Sequence, residues 1–255
     1  MSFFNELLKK AARRFGYQIQ KYPFAEFLTV PVFDLSVQLL MAVRGERLNF
    51  IEVGANDGRS GDPLNHYILQ YPWHGMLIEP QPDVFAQLCE NYASVRDRLI
   101  FENVAIANGL STITMYRGQG KDYPITSIHK KVIAQLAPHD VESLIVPCTT
   151  LDALIQKHGM SNVDILQIDA EGHDYNVLKT LNLAATSPLI IQFEHGLLSS
   201  QEINGAVRYL SSHGYRVLYG GRQIADTVAL HKNFPVVVVD PRMHPAPSLR
   251  LSSDG

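Results

Sequence analysis

Six ionisable side chains gather where two apolar runs stop. After Val163–Ile168 the sequence reads DAEGHD, which places Asp169, Glu171, His173 and Asp174 within six residues. After Leu189–Phe193 it reads EHG, adding Glu194 and His195. So many charges in so short a stretch repel one another or need partners unless a site uses them. Imidazoles titrate near pH ~6.5, so His173 and His195 are candidates for moving a proton. Asp169 is a candidate for accepting one or for holding a ligand. The set Asp169, Glu171, His173, Glu194 and His195 also offers donors that suit a divalent cation such as Mg or Mn. An ordinary structural role for each histidine stands beside these readings.

A second group of residues suits an adenosine-containing ligand. IEVGANDG (Ile51–Gly58) sets Gly54 and Gly58 where the backbone must turn sharply and let a ligand approach. Asn56 and Asp57 bring polar groups to the same turn. In MLIEPQP, Glu79 directly follows Ile78. An acidic residue at the end of a second strand can accept hydrogen bonds from both ribose hydroxyls. ENVAIAN offers Asn103, Val104 and Ala105 as walls of an adenine slot. The glycine turn departs from the dinucleotide fingerprint G-x-G-x-x-G, and by itself it is also compatible with a plain strand-to-helix connection.

The elements that must position these residues alternate. Strands are expected at Leu48–Val53, Met76–Ile78, Leu99–Ile106, Val163–Ile168, Leu189–Phe193, Arg216–Tyr219 and Val236–Val239. Helices are expected at Leu64–Gln70, Val84–Tyr92, near Tyr175–Leu181, and at Glu202–Leu210. This alternation predicts an α/β, doubly wound, mainly parallel sheet with helices on both faces. Ligands bind beyond the carboxyl ends of such strands, where the charged groups stand. Residues 47–240 form the body, and 111–147 interrupt it as a cap-like insertion: a strand over Ser111–Arg117, the loop GQGKDYPITS, a helix at Val132–Leu136 and a short strand at Glu142–Val146. Residues 1–46 are expected to be an N-terminal helical extension. It opens with an amphipathic helix carrying Phe4, Leu7, Leu8, Ala11 and Phe15 beside Lys9, Lys10, Arg13 and Arg14. Residues 241–255, rich in Pro and Ser, read as a flexible tail.

Composition narrows the function classes. The chain has 255 residues, 46% hydrophobic and 18% charged, enough for one large domain with a sizeable core. A net charge of -3 argues against a nucleic-acid partner, which would call for a basic surplus. Cys89 and Cys148 are too few and too far apart for a disulfide framework or a cysteine metal site, and read as reduced thiols. No run approaches the ~20 apolar residues of a membrane span, and no secretory leader is visible. The expected location is the cytoplasm. Residues 1–16 offer a peripheral contact with the inner membrane face if their apolar side is not packed on the body.

The motifs in combination carry a resemblance. FIEVGANDG, LIEPQP, NVAI, TTLDAL (Thr149–Leu154) and VDILQIDAEGHDYNVL (Val163–Leu178) resemble the FkbM family of S-adenosylmethionine-dependent methyltransferases, over about residues 48–220. The resemblance implies a class I methyltransferase (Rossmann-like) fold with a seven-stranded sheet and one reversed strand near its C-terminal edge. It implies S-adenosyl-L-methionine as cofactor, held by Glu52, Gly54, Asn56, Asp57 and Gly58, by Glu79, Asn103, Val104 and Ala105, and by Asp169. It implies methylation of a hydroxyl on a small-molecule or glycan acceptor: a sugar, a glycolipid or a natural product. One position departs from the pattern: the family usually has Lys two residues before the motif Asp, and this chain has Gln167. A nicotinamide-dependent oxidoreductase and a catalytically inactive methyltransferase-fold binding module are the competing readings.

Overall fold

Strands that alternate with helices must bury both of their faces, so each strand needs apolar residues at successive positions. In the computed structural model, which describes residues 32–118, 126–136, 141–219 and 225–235, they have them. Strand β1 (Asn49–Val53) sends Phe50 to one face and Ile51 and Val53 to the other. The pattern repeats in β2 (His74–Ile78), with Leu77 opposed to Met76 and Ile78. A helix α1 (Val32–Arg44) precedes β1, α2 (Asn65–Gln70) joins β1 to β2, and α3 (Pro82–Asn91) leads to β3 (Leu99–Glu102).

Here the chain leaves the main sheet. The single strand expected over Leu99–Ile106 breaks at Asn103, whose side-chain amide donates to the Glu79 carbonyl at 2.8 Å. Beyond it, β4 (Ala105–Ile106), β5 (Thr112–Gly118), β6 (Thr126–Ser127) and β7 (Val141–Thr149) build a separate sheet in the order β4-β7-β5-β6, with α4 (Lys130–Leu136) before β7. The expected insertion is therefore a four-stranded cover. Its last strand runs well past the short segment Glu142–Val146, because it pairs with β5 along its length and with β4 at its end. Arg117 ties the cover to the body by an ion pair to Asp83 on α3, and pairs within the cover with Glu142 on β7.

The chain then returns through α5 (Leu151–His158) to β8 (Ile165–Ile168), and α6 (Asp174–Leu178) leads to β9 (Ile190–Glu194). Helix α7 (Ser200–Ser212) precedes β10 (Tyr215–Tyr219) and β11 (Asp226–His231). The main sheet has seven strands in the order β10-β11-β9-β8-β1-β2-β3. All neighbours are parallel except β11, which runs antiparallel to both β9 and β10. This is the sheet that the resemblance implies, including its reversed strand. The reversed strand is Asp226–His231; the run Val236–Val239, expected to close the sheet, lies outside the described residues, as do the amphipathic segment near residues 4–15 and the tail.

Part of the segment read as an extension belongs to the fold. Helix α1 buries Phe33, Val37, Leu40 and Met41 with Phe50, Leu77, Ile165 and Val228 on one face of the sheet. Arg44 at its end pairs with Asp164 at 3.0 Å, and Asp164 also accepts from the Asn49 amide at the start of β1. Truncation of a core leucine removes transfer energy and leaves a cavity. Leu40, fully buried, should therefore lose about 2–5 kcal/mol of unfolding free energy on Leu40→Ala, read from urea denaturation. A loss below about 0.5 kcal/mol, the scale of a surface substitution, would mean that α1 is not part of the cooperative unit.

Candidate active site

The order of the sheet reverses between β1 and β8, and the chain opens a cleft at the carboxyl ends of these strands, the expected place for a ligand. The cleft has a volume of about 370 Å³, a size suited to a small molecule. Its walls are the turn after β1, the ends of β2, β8 and β9, and the inner side of the cover.

Gly54 shows why the turn has its composition. Its φ is +80°, and a Cβ built there would lie 1.8 Å from the Asp169 carbonyl oxygen. The ends of β1 and β8 are in direct backbone contact, and only glycine allows it. Gly58 (φ +70°) has a different duty: a Cβ there would collide with Tyr92 and Leu88, so it lets α3 close on the turn. Asn56 also takes a positive φ of 49° and donates its amide to Glu79 Oε2 at 3.1 Å. Asp57 folds back on its own turn, accepting from the Arg59 and Ser60 amides and from the Ser60 hydroxyl. Of the expected cofactor residues, Glu52, Gly54, Asn56, Glu79, Val104, Ala105 and Asp169 line the cleft. Asp57, Gly58 and Asn103 stand behind it and shape it.

Glu79 is 3% exposed. The Gln81 amide holds Oε1 at 2.8 Å and the Asn56 amide holds Oε2. Burial pushes its pKa up to about 7, against the pull of these two amides. Gln81 lines the cleft beside it, and its buried Oε1 has no hydrogen-bond partner among the described residues. Glu52, on the floor, is raised well above the usual carboxylate range by burial and by the neighbouring carboxyl of Asp62, and its Oε2 is likewise unpartnered.

At the other end, Asp169, Glu171 and Glu194 each present a carboxylate oxygen within 4.8 Å of the others. The Asp169 side chain opens into the cleft but stands deep in it. That enclosure and the nearby Asp226 push it up to about 6. Glu194 is raised to about 7 and Glu171 to about 8, in each case by burial first and by the Asp169 charge second. Asp174, the fourth acid of the motif, is fully buried and accepts from the Ala170 and Gly172 amides; it closes the turn after β8. His173 lines the cleft, and burial lowers it to about 4, so it is neutral at pH 7. His195 does not line the cleft; its Nδ1 stands 2.9 Å from the Thr227 hydroxyl. Neither histidine joins the three carboxylates, so the ligand set of five expected for a cation reduces to three. The reason is local: the His173 ring is engaged at Nδ1 by the Asn176 side chain at 3.2 Å, and Thr227 on β11 engages His195.

The cover contributes residues that the strand-end search passes over, among them Ile113, Met115 and Ile128. Nothing in their spacing marks them as more than the inward face of a strand. Ser127 couples the cover to the acidic turn, donating to the Glu171 carbonyl at 2.8 Å. Glu171 itself sits at φ 48°.

A ligand whose hydroxyls donate to Glu79 prefers its ionised form, so affinity should rise with pH up to the carboxyl's value near 7 and level off above it. Calorimetry with S-adenosylhomocysteine between about pH 5.5 and 8.5 reads this. The difference between wild type and Glu79→Gln isolates the contribution of this residue. A wild-type profile that Glu79→Gln leaves unchanged would remove Glu79 from the binding surface.

Comparison with known proteins adds an independent line. A family model described as the methyltransferase FkbM domain matches residues 52–217. Among solved structures, the chain is similar to a methyltransferase FkbM from Methylobacillus flagellatus KT, with 14% identity and a TM-score of 0.49, over 73% of this chain and 44% of that one. It is also similar to a METTL16 MTase domain, with 13% identity and a TM-score of 0.48, over 89% and 78%. The comparison with curated proteins finds no match. The family model spans more than half of the chain, and the protein belongs to the FkbM methyltransferase domain family.

Proposed function

We propose that the protein transfers the methyl group of S-adenosylmethionine to a hydroxyl of a sugar, glycolipid or related natural product. The observation that carries this reading is the single cleft that joins Glu79 at the end of β2 to the carboxylates at the ends of β8 and β9. One end fits the nucleoside part of such a cofactor and the other fits its reacting part.

The residues fit that group. Glu79 keeps both oxygens directed by backbone amides, which leaves lone pairs for ribose hydroxyls. The unpartnered Gln81 Oε1 beside it and Glu52 Oε2 on the floor call for donors that a ligand would bring. Gly54 lets the ends of β1 and β8 meet backbone to backbone, which brings the two halves of the cleft together. Five further carboxyl groups besides Glu79 and no Lys or Arg line the cleft among the described residues. This favours a ligand bearing positive charge. S-Adenosylmethionine supplies an electrophilic methyl on a sulfonium. The protein's share is to hold an acceptor oxygen in line with it and to take the hydroxyl's proton. Asp169 is the member of the acidic cluster with the lowest pKa, about 6, and so the one most fully ionised, and free to accept a proton, at neutral pH.

The test has two steps. S-Adenosylhomocysteine should bind by calorimetry where NAD does not, and Glu79→Ala should weaken it by about 1.5–3 kcal/mol, the scale of hydrogen bonds to a charged group. Transfer of labelled methyl to a panel of hydroxylated glycans should then fall by about 10²–10⁴-fold in Asp169→Asn, with thermal stability retained. Binding of NAD and not of S-adenosylhomocysteine would overturn the reading.

A further inference from the structure

We propose that Asp169, Glu171 and Glu194 form a binding site for one divalent cation of the hard, oxygen-preferring class, Mg or Mn. Oxygens around such a cation at about 2.0–2.6 Å stand no more than about 4–5 Å apart. The three carboxylates already meet this condition, with their ligand atoms within 4.8 Å of one another. Glu194 ends β9, and Asp169 and Glu171 lie in the turn directly after β8, which hydrogen bonds to Asp174 and from Ser127 hold in place.

An acidic cluster alone is weak support, since exposed acids often gather without a metal. Gln167 supplies the second observation. It lies two residues before Asp169, on the same face of β8, and lines the same cleft. It is 4% exposed, and its Oε1 has no hydrogen-bond partner among the described residues. In the adjacent strand, Gln192 pairs in register with Gln167, is 2% exposed, and has an unpartnered Oε1 as well. A buried acceptor without a donor is costly, and here two lie side by side, two residues before Asp169 and Glu194 on their respective strands. The region is thus built from oxygen acceptors on two successive levels of the sheet. A hydrated cation satisfies the carboxylates by direct bonds and the Gln167 oxygen, which lines the cleft, through a water ligand, the water-retaining habit of Mg.

The site does not depend on the methyl-transfer reading. If that reading holds, a cation here would draw the acceptor hydroxyl to its open positions and make its proton easier to lose, with Asp169 then serving as a ligand.

The experiment titrates Mn alone into the full-length protein, without cofactor or acceptor. Free Mn is followed by electron paramagnetic resonance and heat by calorimetry. Wild type should bind one equivalent. Glu194→Gln and Asp169→Asn should each weaken binding about tenfold or more, the scale of ligand-sphere changes. Gln167→Lys, which places an ammonium among the same acceptors, should weaken it by about tenfold. Circular dichroism and thermal melting check folding; the wild-type titration and Glu194→Gln carry the test if the other variants do not fold. Mn remaining free at about 1 mM, or equal affinity in folded Glu194→Gln, overturns the proposal. S-Adenosylhomocysteine binding on the same samples separates the two readings. Mn binding without it leaves the cation site standing and sinks the cofactor reading, and the reverse result does the opposite.

Discussion

The contact between Gly54 and the Asp169 carbonyl is the constraint on which the rest of the site depends. Two adjacent strand ends meet there with no side chain between them. The Gly54 amide donates to Ile78 at the end of β2, and the Asp169 amide donates to Val53 at the end of β1. Three strands are thereby brought level at their carboxyl ends. The turn that follows Gly54 then delivers the Asn56 amide to Glu79, and the turn that follows Asp169 carries Glu171 back toward the cleft. Any side chain at position 54 would push these two turns apart and separate Glu79 from the acidic end of the cleft.

Electrostatics in the cleft follow from enclosure. Three carboxyl groups packed within 4.8 Å cannot all ionise without cost, and their pKa values spread upward from about 6 for Asp169 to about 8 for Glu171. The fold holds this unfavourable arrangement because each acid sits on a rigid strand end or on a turn that Asp174 closes with two hydrogen bonds. A ligand that brings positive charge relieves the repulsion among these acids. The same feature disfavours a ligand that brings a negative group to this end of the cleft.

The cover decides what else can enter. It arises because the chain abandons the main sheet at Asn103 and returns only at β8. Its sheet is fastened at two points, Arg117 to Asp83 and Ser127 to the Glu171 carbonyl. The second point matters more to chemistry, since it joins the wall of the cleft directly to the acidic turn. Loops and insertions placed on a rigid scaffold are where specificity commonly resides.

The sequence by itself determined the strands β1, β2, β8 and β9 and the polar groups at their ends, because a strand buried on both faces must be a continuous apolar run and a ligand site must follow it. It placed α1 only within an N-terminal helical extension and was silent on α5, whose apolar stripe is short. It did not mark Asp226–His231, whose ends are polar, as the reversed strand of the sheet. Side-chain direction was beyond it altogether. Of the charged residues after β8 and β9, three acids converge, Asp174 turns inward to hold the backbone, His173 stays at the edge of the cleft and His195 is taken up by Thr227. Those outcomes are set by which strand lies next to which and by how the cover closes. Both are long-range pairings, and the spacing of residues along one segment does not encode them.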